Sequence, residues 1–209
     1  QHSVYPLLHT DASQVPSYLP CAQEAVRADL ITFDAQKIYG PKGVGCLYHR
    51  AGVSLLPVLH GGGQEKGLRP GTVPTPLVVG LAKALSLAAS EREIETERLS
   101  NLRDGFIDHV LAEVPGSELN GARDPRLANN VNISFPGKSA EMIVLKLSQE
   151  GVAVATKSVC KGAAGPSHVI AALGKGDEYA LSAIRFSLGK TTTEAGLQQA
   201  LEALRRVVG

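Results

Sequence analysis

Along the first third of the chain the apolar residues come in short runs broken by Gly- and Pro-rich turns. Pro6–Thr10, Leu30–Phe33 and Gly45–Tyr48 are such runs, and they predict three strands. From Pro76 to about Val114 the pattern changes. Leu77, Leu81, Leu85, Ala88, Ile94, Leu99, Leu102, Phe106 and Val110 recur at helical spacing with charged residues between them, which predicts one long or broken helix. Beyond it the pattern predicts a strand near Asn130–Phe135, a helix near Ala140–Gln149 and a strand near Val152–Ala155. A short helix after Pro166, a strand at Ala183–Ser187 and a last helix from Thr193 follow. This alternation predicts an α/β fold in two lobes, residues 1–75 and 115–209, linked by the helix at 76–114. No internal repeat or low-complexity tract interrupts it.

Composition narrows the function classes. The chain has 209 residues, 44% of them hydrophobic and 20% charged, enough for a real core. A net charge of +1, without basic blocks or interleaved basic and aromatic residues, gives no reason to expect nucleic acid or an anionic membrane as partner. No apolar run approaches the roughly 20 residues that span a bilayer. The chain begins with Gln and shows no signal-peptide pattern, so a cut or partial chain is expected. Cys21, Cys46 and Cys160 are odd in number and widely spaced, indicating neither a disulfide framework nor a metal site; a reducing cytoplasm fits best.

Candidate chemistry sits in a few segments. In "HTDASQ", Asp11 and Gln14 follow an apolar run, where open α/β sheets present ligand-binding side chains, although alone they read first as an Asx turn. In "DLITFDAQKIYGPKGVGCLY", Lys37 lies between a strand candidate and a stiff Gly-Pro turn. A lysine there is ordinarily a solvated charge. Imine chemistry also needs such a position, because the amine must be held and partly desolvated to act as a nucleophile. "KSVCKG" places Cys160 between Lys157 and Lys161, charges that favour the thiolate; the plain alternative is a spare exposed thiol. Cys21 and Cys46, in or near apolar segments, read as packing residues. "GKTTT" at 189–193 has the end of a phosphate-binding loop but Ile184 where the first glycine belongs, so that motif is set aside.

The segments "HTDASQ", "QKIYGPKGVGCLY", "GGGQEKGLRPGT", "NVNISF", "KSVC" and "SAIRFSLG", in this order, resemble the class V, fold-type I pyridoxal-phosphate enzymes. The likeness is strongest to the cysteine desulfurases of the NifS/IscS group and runs from His9 to the end of the chain. The resemblance implies pyridoxal 5'-phosphate as cofactor, with Lys37 forming the Schiff base and Asp11 pairing with the pyridinium nitrogen. Gln14 would meet the ring's phenolic oxygen. Thr72 would reach the cofactor phosphate of a neighbouring subunit, which implies a homodimer. Arg185 would grip the substrate carboxylate through two parallel hydrogen bonds, with a structural salt bridge as its alternative. Cys160 would take sulfur from L-cysteine as a persulfide, release alanine, and pass the sulfur to an acceptor protein for iron–sulfur cluster assembly or thiolation.

Two departures stand beside these matches. Where the family has Ser-x-His before the lysine, this chain has Asp34 and Gln36; Gln36 can still donate a hydrogen bond to the cofactor, whereas a carboxylate at Asp34 would repel the phosphate unless it turned away. Family members are also nearly twice as long. The chain therefore resembles the C-terminal part of the large cofactor domain plus the small α/β C-terminal domain, with an open sheet edge and a companion N-terminal polypeptide as one way to cover it. A selenocysteine lyase, another class V enzyme or a truncated, non-catalytic interaction module are the alternative functions.

Overall fold

The computed structural model describes residues 6–156 and 165–209. It divides into two compact units, one reaching Ile94 and the other starting at Glu95.

In the first unit β1 (His9–Asp11) runs parallel to β2 (Leu30–Asp34), and β3 (Gly45–His49) runs antiparallel to β2, giving the order β1-β2-β3. Parallel neighbours need a crossover. Here it includes the short helix α1 (Gln23–Val26). The register pairs His9 with Leu30 and Asp11 with Thr32. Ala12, Ala28 and Ile31 are buried together, flanked by Val15, Val26 and Phe33. The strand predicted from Pro6 is shorter than expected. Pro6 has no N–H to give, and the Leu8 N–H donates to the Asp29 side chain at 2.9 Å instead of joining the ladder. Asp29 also accepts from Arg50 Nε at 2.7 Å, fastening the far end of β3 to the same corner.

Past β2 the chain makes a tight 3-10 turn, Ala35–Ile38. Asp34 caps it, accepting from the Gln36 N–H at 3.2 Å. With about three residues per turn, Ala35 and Ile38 share one side. Both are buried against Leu81 and Ala84 of α2 (Thr75–Glu113), and Gln36 and Lys37 are left exposed. Tyr39, at φ 64°, ends the turn.

Two glycines let the helix come this close. A Cβ on Gly40 would lie 3.0 Å from the Ala84 Cβ, and one on Gly80 would lie 2.8 Å from Pro41 Cγ. Gly80→Ala sets a helix-propensity gain of about 1 kcal/mol against overpacking of about 1–3 kcal/mol on a rigid proline ring. The expected outcome is net destabilisation of about 1 kcal/mol, read as a lower denaturant midpoint.

The second unit holds an antiparallel sheet, β4 (Glu118–Leu119), β5 (Asn130–Ser134) and β6 (Ala183–Ser187), in the order β4-β5-β6. Val131, Ile133, Ile184 and Phe186 are buried, and Phe106 of α2 meets Phe186 edge-on at 5.2 Å. Helix α3 (Ala140–Gln149) starts at a Ser139 cap and lies beside α6 (Glu194–Val208), which starts at a Thr193 cap. Between them come α4 (His168–Ala171) and α5 (Asp177–Ser182).

The strand predicted at Val152–Ala155 reduces to a single bridge from Ala155 to Arg185. The Val152 amide is used elsewhere, closing the end of α3 on the Leu147 carbonyl at 2.8 Å. The "GKTTT" segment is a structural turn. Thr192 Oγ1 accepts from the Gly189 N–H at 2.9 Å, and the Arg98 guanidinium donates to the carbonyls of Thr192 and Gly189 at 2.8 and 3.1 Å.

Candidate functional site

Asp11 closes β1 and Lys37 sits three residues beyond the end of β2. Because the two strands are parallel neighbours, both residues stand at the carboxyl end of the sheet, the end where open α/β sheets bind ligands. The sequence places them 26 positions apart by the numbering of the chain, and only the pairing of β1 with β2 brings them to one end.

Asp11 is tied down by its own turn. The Ser13 backbone N–H and hydroxyl donate to Asp11 Oδ1 at 3.0 and 2.5 Å. The Ser13 hydroxyl and then the Ser13 amide hold the Asp11 carboxyl below the usual carboxylate range. Slight burial opposes them, and the charges of His9 and Lys37 act in the same direction as Ser13. His9, two residues earlier on β1, shares a 2.7 Å hydrogen bond with Thr32 Oγ1. Gln14 is exposed in the turn that follows Asp11.

Asp34 is accounted for by the cap. Its carboxylate accepts from both the Gln36 N–H and, at 2.9 Å, Gln36 Nε2. The carboxylate thus has two amide donors within its own turn, and the Gln36 side chain is bound to it. Thr72 is exposed, next to Gly71, whose N–H donates to Gln64 Oε1 at 3.3 Å.

In the second unit Arg185 lies on β6, half-buried. Its Nε is enclosed and has no hydrogen-bond partner among the described residues. A buried guanidinium N–H without an acceptor costs about 1–3 kcal/mol or more, so such a group suits an anionic ligand. Cys160 lies outside the described residues. The chain on either side of 157–164 is anchored: Ala155 exchanges backbone hydrogen bonds with Arg185 at 2.7 and 3.1 Å, and the Ser167 N–H donates to the Ala180 carbonyl at 3.0 Å.

The donor set in the first unit fits a pyridoxal phosphate. An ionised carboxylate suits a protonated ring nitrogen, and an accessible primary amine on a rigid turn suits an aldehyde. Ser13 was not singled out from the sequence. Its signal is the Asp-x-Ser spacing, which favours a side chain to backbone turn.

Residues 1–200 match the model of the aminotransferase class-V family. The chain belongs to that family. A cysteine desulfurase IscS from Dictyoglomus turgidum is 42% identical to this class-V chain over 209 residues, covering 100% of it and 52% of the relative. Among solved structures, a NifS-like protein superposes with a TM-score of 0.85 at 33% identity, covering 96% of this chain and 52% of the other. SspA, solved in complex with cysteine, superposes with a TM-score of 0.62 at 32% identity, over 86% of this chain and 49% of that one. The class-V chain thus spans about half the length of the relatives it matches. Its mixed α/β architecture is that of the fold-type I pyridoxal-phosphate enzymes, as the sequence motifs imply. Among the described residues, no helix is long and apolar enough to cross a membrane.

Proposed function

We propose that this class-V chain carries the C-terminal share of a pyridoxal-phosphate-dependent cysteine desulfurase, which converts L-cysteine to L-alanine and leaves a persulfide on Cys160. The observation that carries the reading is the placement of Asp11 and Lys37 at the same carboxyl end of β1 and β2, in a chain whose relatives at about 40% identity are named cysteine desulfurases. The structure of SspA with cysteine supports the choice of substrate.

When bound, pyridoxal 5'-phosphate supplies an electron sink for bonds at the substrate α-carbon. Every other task falls to the protein. Asp11 holds a proton on the ring nitrogen, Gln14 and Gln36 offer hydrogen bonds to ring substituents, and Thr72 serves the phosphate across a homodimer. Lys37 would hold the cofactor through its amine and would move the proton at the substrate α-carbon. Arg185 would bind the substrate carboxylate through its guanidinium.

In net terms L-cysteine and the Cys160 thiol become L-alanine and the Cys160 persulfide. One C–S and one S–H bond break and one S–S and one C–H bond form, so the two electrons that reduce the β-carbon to a methyl group come from oxidation of the two thiol sulfurs to the persulfide. A sulfur-acceptor protein of the cytoplasm, serving cluster assembly or thiolation, then takes the terminal sulfur. The half of the relatives' length that this chain does not span would supply the rest of the cofactor domain, a companion N-terminal polypeptide being one form it could take.

The test is stoichiometric. Full chain supplied with pyridoxal 5'-phosphate, L-cysteine and a thiol reductant is expected to yield alanine and sulfide in equal amounts, with intact-mass and subunit analysis showing which polypeptides the active material contains. Cofactor uptake without alanine from any composition of that material overturns the desulfurase reading. Arg185→Lys is expected to raise KM for cysteine by about tenfold or more, because a point charge replaces a two-pronged donor. An unchanged KM would return Arg185 to a structural role.

A further inference from the structure

Ser13 commits one oxygen of the Asp11 carboxylate and leaves the other. Its N–H and hydroxyl both reach Oδ1, at 3.0 and 2.5 Å, and the structure records no hydrogen bond to Oδ2 among the described residues. Two donors on one oxygen fix the rotation of the carboxylate about its Cβ–Cγ bond, since swinging the group would break both at once. Asp11 itself is exposed and Ser13 half-buried, so the fixed group is also the accessible one. The other titratable or charged groups acting on it are His9, on the same strand, and Lys37, on the turn after β2. His9 is occupied with Thr32 Oγ1 at 2.7 Å, and Lys37 carries the opposite charge to the carboxylate. Neither supplies a hydrogen bond to the carboxylate. Among the described residues the orientation therefore depends on Ser13 alone.

We propose that Ser13 is a positioning residue that locks Asp11 Oδ1 so that Oδ2 is presented to a protonated nitrogen of the cofactor ring. The proposal rests on the pyridoxal-phosphate reading of this site and adds to it a residue that touches neither cofactor nor substrate. The lock has two consequences. Hydrogen bonds to the ionised form keep Asp11 charged, and a carboxylate held in one rotamer loses little side-chain freedom when the ring arrives. An alanine at 13 would keep the backbone bond and lose the hydroxyl bond, the shorter of the two. A threonine would keep both.

The experiment compares two ligands that differ at the ring nitrogen alone: pyridoxal 5'-phosphate and its carbocyclic analogue with CH in place of that nitrogen. With the full chain and whatever polypeptide accompanies it, Ser13→Ala is expected to weaken the first about tenfold and the second less than about twofold. Ser13→Thr is expected to restore the difference. Carbon-detected NMR of the Asp11 carboxyl, without any cofactor, is expected to show its titration moving to higher pH in Ser13→Ala and back in Ser13→Thr. Equal weakening for both rings, or an Asp11 titration that Ser13→Ala leaves in place, overturns the positioning role. A wild-type protein that takes up neither ring overturns the cofactor reading itself, and the positioning role with it.

Discussion

Lys37→Ala is expected to leave the protein folded and to abolish covalent capture of pyridoxal 5'-phosphate. The fold should survive because the 3-10 turn is anchored by its other members. Ala35 and Ile38 are the buried pair against Leu81 and Ala84, and Lys37 is exposed, so losing its side chain opens no cavity. Exposed substitutions of this kind shift stability by no more than about 0.5 kcal/mol. The chemistry has no such reserve. In the proposed mechanism the amine would be both the nucleophile that takes the aldehyde and the base that moves the α-proton, so its loss should lower the proposed desulfuration by about 10³-fold or more.

Lys37→Arg sharpens the test. It retains the positive charge that acts on Asp11, yet a guanidinium cannot be deprotonated to condense with an aldehyde. Borohydride reduction followed by peptide mass analysis should place the cofactor-derived mass on residue 37 of the wild type and find none in either variant. A cofactor mass on Lys42, the other exposed lysine of the same Gly-Pro turn, would move the assignment along the loop.

The two halves of the candidate site differ in how readable they are from sequence. The strands at Leu30 and Gly45, the long helix and the helices α3 and α6 follow from local pattern, apolar runs and helical spacing. The shortened first strand and the missing strand at Val152 were not readable, because both depend on single amides choosing distant or helical partners over a ladder. The cap at Asp34 was not readable for a related reason. Set beside a phosphate it is a liability, but as a cap that takes two amide donors from Gln36 it is what starts the turn presenting Lys37. Likewise the closeness of Gly40 to Ala84 and of Gly80 to Pro41 is a tertiary fact, since nothing local marks either glycine as a contact point.

Cys160→Ala is the variant that separates sulfur transfer from cofactor binding. If Cys160 takes the sulfur, its removal should abolish persulfide on the protein and sulfide release, a loss of about 10³-fold or more, because no other group on this chain is proposed to attack sulfur. Cofactor uptake should be unchanged, since Asp11 and Lys37 are the residues proposed to hold the cofactor and Cys160 is proposed to act on the substrate sulfur alone. Cys46 offers an internal control. It is exposed on β3, and partial burial followed by the charge of Glu65 pushes its thiol upward in pKa, away from the reactive thiolate. Cys46→Ala should therefore leave persulfide formation intact. Mass analysis of protein incubated with L-cysteine, alkylated and digested, reads all of this at once: one extra sulfur on the peptide containing residue 160, none on the peptide containing residue 46. Loss of cofactor binding in Cys160→Ala would show that the segment from Lys157 to Lys161 serves the cofactor, and persulfide surviving that substitution would give the sulfur to another thiol.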